Sequence, residues 1–351
     1  MRRVTTIFSA LLASTLILTG CGGDATETET SKAGNETAAE EKKSDVKVGL
    51  AYDIGGRGDQ SFNDSAAAGL DKAKSEFGIE AKEAEAGQGE SESAKEERLR
   101  ALATSGFNPI IAVGFAYSAS VAKVAKDTPD VNFAIIDDAG ATGPNVANLL
   151  FAEHEGSFLV GVAAALKSPA GNVGFVGGVD VPLIHKFQAG YEAGAKAAKP
   201  DVKVQVKYLT QPPDFSGFGD PAKGKTAAEG MYDAGADVVY HAAGGSGGGV
   251  FQAAAAAEKL AIGVDSDQYN TADPAVKDVI LTSMLKKLDV AVYDFIKTVV
   301  DGNFKAGPNM YNLEKEGVGY STTGGKVDDI KDQLEEYKMK IVSGEVKVPE
   351  K

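Results

Sequence analysis

The sequence predicts an α/β protein of two lobes, each a parallel sheet flanked by helices. From residue 46 to residue 351, short apolar runs alternate with helical segments, which is the pattern of parallel strands joined by crossover helices. The order of elements also repeats, since Gly106 and Asp137 are 31 positions apart and Gly235 and Asp265 are 30 positions apart. Two similar lobes that face each other leave a cleft, and a cleft is a natural place for a small ligand.

In the first half of this body, three candidate residues come directly after buried strands. Strands are predicted at 47–52, 79–84, 109–113 and 132–136, and helices at 65–77, 91–105 and 118–126. Asp53, Gly114 and Asp137 each follow one of these strands. Ligands of open parallel sheets bind outside the carboxyl ends of the strands, so these residues are candidates for ligand contact. A cap or a turn is the ordinary alternative role for a loop aspartate.

The second half repeats the scheme. Strands are predicted at 172–176, 202–209, 237–241 and 261–264, and helices at 183–197, 226–233 and 250–259. Asp265 ends the last of these strands, and the glycine run 244–249 follows the strand at 237–241. Glycines allow the backbone to approach a ligand or the opposite lobe closely, and Gly245 is our candidate there.

The remaining segments are predicted to connect the lobes. Residues 146–151, 279–283 and 318–320 fit crossovers, and a last helix is predicted at 327–341. We assign residues 46–150 and 283–312 to lobe 1, and residues 151–282 and 313–351 to lobe 2.

The N-terminus predicts an exported lipoprotein. Two arginines precede an apolar run at 7–18, which is too short to span a bilayer and typical of a signal peptide, here residues 1–20. Leu18-Thr19-Gly20-Cys21 resembles a lipobox, and Cys21 is the only cysteine of the chain. An ordinary secretory signal is the alternative. Residues 22–45 contain no aromatic and no large aliphatic residue, which predicts a disordered tether. We therefore expect Cys21 to carry the lipid that anchors the protein to the outer face of the cell membrane.

Composition argues against several functions. Without residues 1–20 the chain has 34 basic and 50 acidic residues, a net charge of −16, which disfavours nucleic-acid binding. No CxxC or HExxH motif occurs, and His154, His185 and His241 are far apart in sequence. We expect no metal site, no cofactor and no catalytic residues, and we interpret the protein as a monomeric binding protein rather than an enzyme.

One motif points to a different class of protein. Residues 219–226 (GDPAKGKT) match the phosphate-binding pattern GxxxxGK[ST], and residues 133–138 (FAIIDD) resemble a Walker B strand. A phosphate loop needs a strand that leads directly into its glycine turn. Here the segment 210–218, with two prolines, lies between the strand and Gly219, and Asp220 adds a negative charge. We therefore predict that the motif does not bind a nucleotide.

An ordered set of short motifs extends over the whole body. The motifs are VGLAYD (48–53), DQSFND (59–64), GF (114–115), FAIID (133–137), FQAGY (187–191), GADVV (235–239), AGGSG (243–247), GVDSD (263–267) and TSMLK (282–286). In this order they resemble the basic-membrane-protein family of lipoproteins, also called purine nucleoside receptor A-like. The resemblance implies a type I periplasmic-binding fold with three crossovers between lobes. It also implies capture of a purine nucleoside (guanosine, inosine or adenosine) for an ABC importer with permease and ATPase subunits.

The resemblance also assigns roles to residues. It implies that two aromatic rings, one from each lobe, enclose the base, and that polar side chains hold the edge of the base and the ribose. Phe62 matches the first ring; Phe218 is our choice for the second, with Phe215 and Phe187 as competitors. The other predicted ligand residues are Asp53 and Asn63 at the base edge, Asp265 and Lys286 at the ribose, and Ser61, Gly114, Asp137 and Gly245.

Residue chemistry supports this set and leaves one alternative. Stacking contributes about 1–3 kcal/mol per base, and ribose hydroxyls donate well to carboxylates. Phe62 is flanked by turn-forming residues, although a core position under a loop is possible. Lys286 is predicted to open a helical segment, where a cation needs a partner such as Asp265 or a ligand oxygen. A sugar or a flavin on the same fold is the alternative ligand.

Overall fold

The computed structural model describes residues 44–87 and 89–351, which contain two six-stranded sheets. The first sheet has the order β11-β5-β4-β3-β1-β2, and all its strands are parallel. Its strands are β1 (Lys47–Ala51), β2 (Glu80–Ala84), β3 (Ile110–Ala112), β4 (Phe133–Ile136), β5 (Val146–Phe151) and β11 (Gly307–Tyr311). The predicted signal peptide, Cys21 and the tether up to residue 43 lie outside the described residues.

The second sheet has the order β12-β10-β9-β8-β6-β7. Only its edge strand β12 runs antiparallel to its neighbour. Its strands are β6 (Asn172–Val179), β7 (Lys203–Thr210), β8 (Val238–Ala242), β9 (Leu260–Asp265), β10 (Ile280–Lys286) and β12 (Val318–Tyr320). Strands β3 and β4 are buried at every position, which explains their uninterrupted apolar sequences. Strand β8 is also buried at every position and includes His241.

Helices cover both sheets. They are α1 (Phe62–Phe77), α2 (Glu92–Thr104), α3 (Ser118–Asp127), α4 (Glu153–Lys167), α5 (Pro182–Ala198), α6 (Pro221–Asp233), α7 (Gly247–Ala256), α8 (Gln268–Thr271), α9 (Leu288–Val300) and α10 (Lys331–Val342). Helices α1, α2, α3 and α9 pack with the first sheet to form lobe 1, and the other helices pack with the second sheet to form lobe 2. Within the described residues, no helix is long and apolar enough to cross a membrane.

Helix α4 was not predicted, because most of its surface is buried and its sequence lacks a polar stripe. The backbone of α4 lies very close to the backbone of α5 where the two helices cross. A side chain at Gly190 or Gly194 would overlap carbonyl groups of α4, and one at Gly161 would overlap a carbonyl of α5. Glycines therefore bring the two backbones together and fix α4 in place.

The chain passes between the sheets after β5, after β10 and after β11. Strand β10 keeps residues 283–286 in the second sheet, whereas the sequence led us to assign them to lobe 1. Lys286 is accordingly the last residue of a strand, and the following helix begins at Leu288. The prediction that Lys286 opens a helical segment is therefore wrong.

The repeat seen in the sequence is also a repeat of backbone conformation. Gly106 and Gly235 have φ angles of 82° and 88°, and Asp137 and Asp265 have φ angles of 63° and 64°. Left-handed conformations are uncommon for residues with a side chain, and aspartate tolerates them better than most. The two lobes thus have the same left-handed residues at equivalent positions, a glycine before one strand and an aspartate at the end of the next.

The phosphate-loop motif lies mostly within a helix. Helix α6 begins at Pro221, and the carboxylate of Asp220 accepts a hydrogen bond from the backbone N–H of Lys223 at 3.1 Å. Gly224, Lys225 and Thr226 are therefore helical, and an aspartate occupies the helix N-terminus where a phosphate would bind. The sequence match does not form a phosphate cradle.

Candidate functional site

A cavity of about 60 Å³ lies between the lobes at the carboxyl ends of the strands. This volume is smaller than the roughly 300–1,000 Å³ of small-molecule sites, so the lobes must separate to admit a ligand of that size. Lobe 1 contributes Asp53, Ile54, Asp59, Phe62, Asn63, Gly114, Phe115 and Asp137, and lobe 2 contributes Leu183, Ile184, Phe187, Phe218, Ala242, Gly244, Val264, Asp265 and Lys286.

Most of the residues predicted from the sequence are gathered here. Of the ten, the eight that line the cavity are Asp53, Phe62, Asn63, Gly114, Asp137, Phe218, Asp265 and Lys286. Ser61 is buried behind the lining and donates a hydrogen bond to Asp265. Gly245 is next to the lining residue Gly244. Their contact with a ligand stays a prediction.

The lobe 1 edge of the cavity is a network of acids and amides built at the start of α1. The carboxylate of Asp59 accepts hydrogen bonds from the backbone N–H groups of Ser61 and Asn63 at 2.9 and 2.8 Å. It also accepts one from the Asn63 side-chain amide at 2.9 Å, and the amide oxygen of Asn63 accepts the backbone N–H of Asp53 at 3.0 Å. Asn63 is thus fixed in one orientation.

Asp53 is held against glycine. Gly114 has a φ of 100°, and a side chain at this position would overlap the Asp53 carboxylate. Burial raises the pKa of Asp53 to about 6, although a hydrogen bond from the Ile54 N–H opposes the shift. The carboxyl group of Asp53 therefore changes charge close to neutral pH and can present either an acceptor or a donor to a ligand.

A buried ammonium group lies on the opposite side. Lys286 is 1% exposed, and its Nζ lies 2.5 Å from Asp137 Oδ2 and 3.3 Å from Glu153 Oε1. Burial opposes the charge, but the surrounding carboxylates outweigh it and raise the pKa of Lys286. The sequence suggested Asp265 as a partner; its carboxylate acts on Lys286 only through space, and Asp137 and Glu153 are the direct partners.

The acids around Lys286 are also shifted. Burial raises the pKa of Glu153 to about 7 and that of Asp265 to about 6, in both cases against the attraction of Lys286. Burial raises the pKa of Asp137 as well. The centre of the site therefore combines one permanent cation with several carboxyl groups that hold a proton more readily than usual.

Aromatic rings enclose the ammonium. Its Nζ lies 5.2 Å from the ring centre of Phe62, 5.1 Å from that of Phe151 and 5.4 Å from that of Phe187, within the range of cation–π attraction. Phe218 also lines the cavity, with its ring packed on Gly178. Phe215 lies outside the lining and packs on Phe115 with ring centres 6.1 Å apart. Phe218 and Phe187 are thus the lobe 2 rings that line the cavity together with Phe62 of lobe 1.

Direct hydrogen bonds join the lobes beside the cavity. The Ser61 hydroxyl donates to Asp265 Oδ2 at 2.8 Å, and the Ser266 hydroxyl donates to the Ser61 carbonyl at 2.8 Å. The side-chain amide of Gln268 donates to the Gln60 carbonyl at 3.0 Å. The loop that leads into Phe62 is therefore attached to lobe 2, and the cleft is closed on this side.

Sequence reasoning missed two acids that shape the site. Asp59 lies in the motif DQSFND (59–64), but the sequence did not show its role. Its carboxylate accepts the backbone N–H of Asn63 at the start of α1, and this role depends on where the helix begins. Glu153 lies behind the cavity at the start of an apolar segment. An acid a few residues before the buried apolar run that begins at Phe158 was the available signal, because a buried carboxylate requires a partner.

The histidines do not form a site. Within the described residues, no group of histidine, cysteine or acidic side chains has an arrangement suited to a metal ion. His185 is exposed and pairs with Asp180, whereas His241 is fully buried between β8 and α7. Burial lowers the pKa of His241 to about 4, so its ring is neutral at neutral pH.

Comparison with known proteins identifies relatives over the whole body. Residues 46–351 match the family described as ABC transporter substrate-binding protein PnrA-like. The chain is 36% identical to the CD4+ T-cell-stimulating antigen of Listeria innocua, over 98% of this chain and 97% of that protein. It is 33% identical to the ABC transporter nucleoside-binding protein BmpA of Lactococcus lactis, over 100% of this chain and 99% of that protein.

A solved structure has the same architecture. The solute-binding protein of an ABC transporter system from Aeropyrum pernix is 33% identical, with a TM-score of 0.75 over 87% of this chain and 94% of that chain. The family resemblance drawn from the motifs is thereby confirmed, as is the two-lobed α/β fold. The matched family consists of substrate-binding proteins rather than enzymes.

Proposed function

The chain belongs to the PnrA-like family of ABC transporter substrate-binding proteins, and on this premise we propose that it captures a purine nucleoside in the cavity between its lobes. The observation that carries the proposal is the composition of the cavity, in which aromatic rings from both lobes flank an acid–amide edge and a buried cation. A relative in Lactococcus lactis that is named as a nucleoside-binding protein supports it.

The lining suits the parts of a nucleoside. Phe62 of lobe 1 stacks on one face of the base, and Phe218, or alternatively Phe187, stacks on the other. Asp53 and Asn63 hydrogen-bond the polar edge of the base. Asp265 accepts from ribose hydroxyls and Lys286 donates to them, while Asp137 holds the ammonium in place.

The transport cycle follows from the family. A substrate-binding protein of an ABC transporter works outside the cytoplasm with permease and ATPase subunits. We propose that Cys21 carries the lipid anchor and that the tether after it keeps the lobes near the permease. The lobes open and close by hinge motion at the crossovers, as two-lobed binding proteins do.

The proposal is tested on the chain without its signal peptide and with Cys21→Ser, which removes the lipid. Native mass spectrometry should detect a co-purifying guanosine, inosine or adenosine, and calorimetry after its removal should show binding of at least one of them. Phe62→Ala should weaken binding by about 5–150-fold, the loss of one stacking face. Phe215→Ala is the matched control and should change affinity less than about threefold, because this ring lies outside the lining.

Two results would contradict the proposal. The first is heat with a sugar or a flavin and none with any purine nucleoside, which would favour the alternative ligand. The second is nucleoside binding that Phe62→Ala leaves unchanged, which would move the ligand out of this cavity.

A further inference from the structure

We infer that Glu153 positions Lys286 so that one N–H of the ammonium faces the cavity. Glu153 itself lies outside the cavity lining. Through Lys286 it sets a preference for nucleosides, which carry sugar hydroxyls, over the bare bases. This inference rests on the proposed function. Glu153 is a positioning residue, because it acts only through Lys286.

The first step is the number of donors. An ammonium group has three N–H donors. Asp137 Oδ2, from the end of β4 in lobe 1, accepts one of them, and Glu153 Oε1, at the start of α4, forms an ion pair with Nζ at 3.3 Å. Lys286 itself lines the cavity. Asp137 therefore occupies one donor and Glu153 attracts the ammonium, which leaves N–H donors for a group inside the cavity.

The second step is the isolation of Glu153. Its side chain is 1% exposed, and within the described part of the chain its Oε2 has no hydrogen-bond partner. A carboxylate buried in this way costs free energy. Lys286 is the one direct ionic partner of Glu153 among the described residues. We therefore infer that the role of Glu153 is to orient the Lys286 side chain.

The third step is the rigidity of the support. Glu153 is the first residue of α4, directly after the crossover that follows β5. Close glycine contacts hold α4 on α5, and a side chain at Gly190 would overlap the carbonyl of His154, the next residue. The carboxylate that orients Lys286 is thus fixed to the backbone of lobe 2 at the point where the chain leaves lobe 1.

The fourth step is the competition for the cation. Asp265 also attracts Lys286, and its pKa is raised by burial in the same site. Without Glu153, the ammonium is free to turn its remaining donors toward Asp137 and Asp265. The donor that would meet a ribose hydroxyl is then lost, while the stacking rings and the Asp53 edge are unchanged.

The experiment compares a nucleoside with its base. Calorimetry measures guanosine and guanine, and inosine and hypoxanthine, on the wild-type chain, Glu153→Ala, Glu153→Gln and Glu153→Asp. We expect Glu153→Ala to reduce the nucleoside-to-base affinity ratio about tenfold or more. Glu153→Gln keeps an acceptor at the same reach and should keep the ratio within about threefold. Glu153→Asp keeps the charge but is too short to reach Nζ, so it should lower the ratio.

Glu155 provides a matched control on the same turn of helix. Its carboxylate accepts the backbone N–H of Leu313 at 2.9 Å, at another crossover, and does not contact Lys286. Glu155→Gln and Glu155→Ala should lower thermal stability without changing the ratio. If Glu153→Ala does not fold, the other two variants still test the inference. Glu153→Gln keeps the length of the side chain and removes its charge, whereas Glu153→Asp keeps the charge and shortens the side chain.

The outcomes distinguish the two proposals. A wild-type chain that binds no nucleoside overturns the proposed function, and this inference with it. A wild-type chain that prefers the nucleoside, with Glu153→Ala and Glu153→Asp weakening nucleoside and base equally, overturns the inference alone. Loss of the ratio in Glu153→Gln but not in Glu153→Asp would also overturn it, because charge rather than position would then be the cause.

Discussion

The two lobes share the order of five strands and differ in the side chains that they bring to the cleft. The strand orders β5-β4-β3-β1-β2 and β10-β9-β8-β6-β7 correspond, and Asp137 and Asp265 end equivalent strands with nearly equal φ angles. Each aspartate contacts the other lobe, but Asp137 meets the ammonium of Lys286 and Asp265 meets the hydroxyl of Ser61.

The comparison shows where the function of each lobe is encoded. After β3, lobe 1 has Gly114 followed by Phe115, and after β8 lobe 2 has the glycines of the 244–249 run. The acid–amide edge belongs to lobe 1, and the buried cation belongs to lobe 2. A duplicated scaffold therefore supplies the geometry, and unequal side chains make the two sides of the cleft chemically complementary.

The largest expected effect comes from removing the ionic contact. Lys286→Met leaves two buried carboxyl groups without their cation and should lower the free energy of unfolding by about 3–5 kcal/mol at pH 7.5. The loss should shrink at pH 5, because protonated carboxyl groups need no cation. Urea unfolding followed by circular dichroism measures it. Lys287→Met is the neighbouring control and should change stability by less than about 0.5 kcal/mol; equal losses would contradict the special role of Lys286.

An intermediate effect is expected at Asp53, and it has the opposite sign. Since burial raises its pKa from 3.8 to about 6, the folded state binds a proton more tightly than the unfolded state, and stability falls as the pH rises through this window. Asp53→Asn should therefore raise the free energy of unfolding of the ligand-free protein by about 1–3 kcal/mol at pH 7.5, and by almost nothing at pH 4.

The equivalent change in lobe 2 sharpens this prediction. Asp265→Asn should give a smaller gain, because it replaces the charged acceptor of Ser61 with a neutral one and removes part of the field that stabilises Lys286. The exposed Asp201→Asn is the control and should change the free energy of unfolding by less than about 0.5 kcal/mol. A gain for Asp53→Asn that persists unchanged at pH 4 would exclude the protonation of Asp53 as its cause.

The smallest expected effect is that of the hydroxyl contact. Ser61→Ala should cost about 1 kcal/mol, the net value of one hydrogen bond. In the Asp265→Asn background its cost should fall by half or more, because the charged acceptor is gone. Urea unfolding of the four proteins of this double-mutant cycle gives the coupling, and additive losses would show that the bond between lobes contributes nothing.

Much of the fold could be predicted because each buried strand leaves a short apolar run in the sequence. The strands at 110–112, 133–136 and 238–242 are buried on both faces and were predicted within one or two residues. Helix α4 has the same physical property, burial on most sides, but an apolar helix lacks the periodicity by which helices are found. The lobe boundary predicted at residue 283 was misplaced, because strand β10 continues to Lys286 and a buried strand rarely ends on a charged residue.

The candidate site was predictable where residues follow strand ends. Asp53, Gly114, Asp137 and Asp265 needed only the rule for parallel sheets. The partners of Lys286 were not predictable from the sequence. Asp137 and Glu153 are far from Lys286 along the chain, and only the folded structure brings their carboxylates next to its ammonium. The choice between Phe218 and Phe187 also depends on how a loop and a helix pack around the same space.

The left-handed aspartates restrict how this cleft can evolve. At φ angles of 63° and 64°, glycine and asparagine are the cheap replacements for Asp137 and Asp265, since other side chains are strained there. Both replacements remove a charge and neither adds length. Single mutations at these two strand ends can therefore silence a carboxylate but cannot easily install a larger group or a cation, so new ligand specificities must arise from the loops and helices around them.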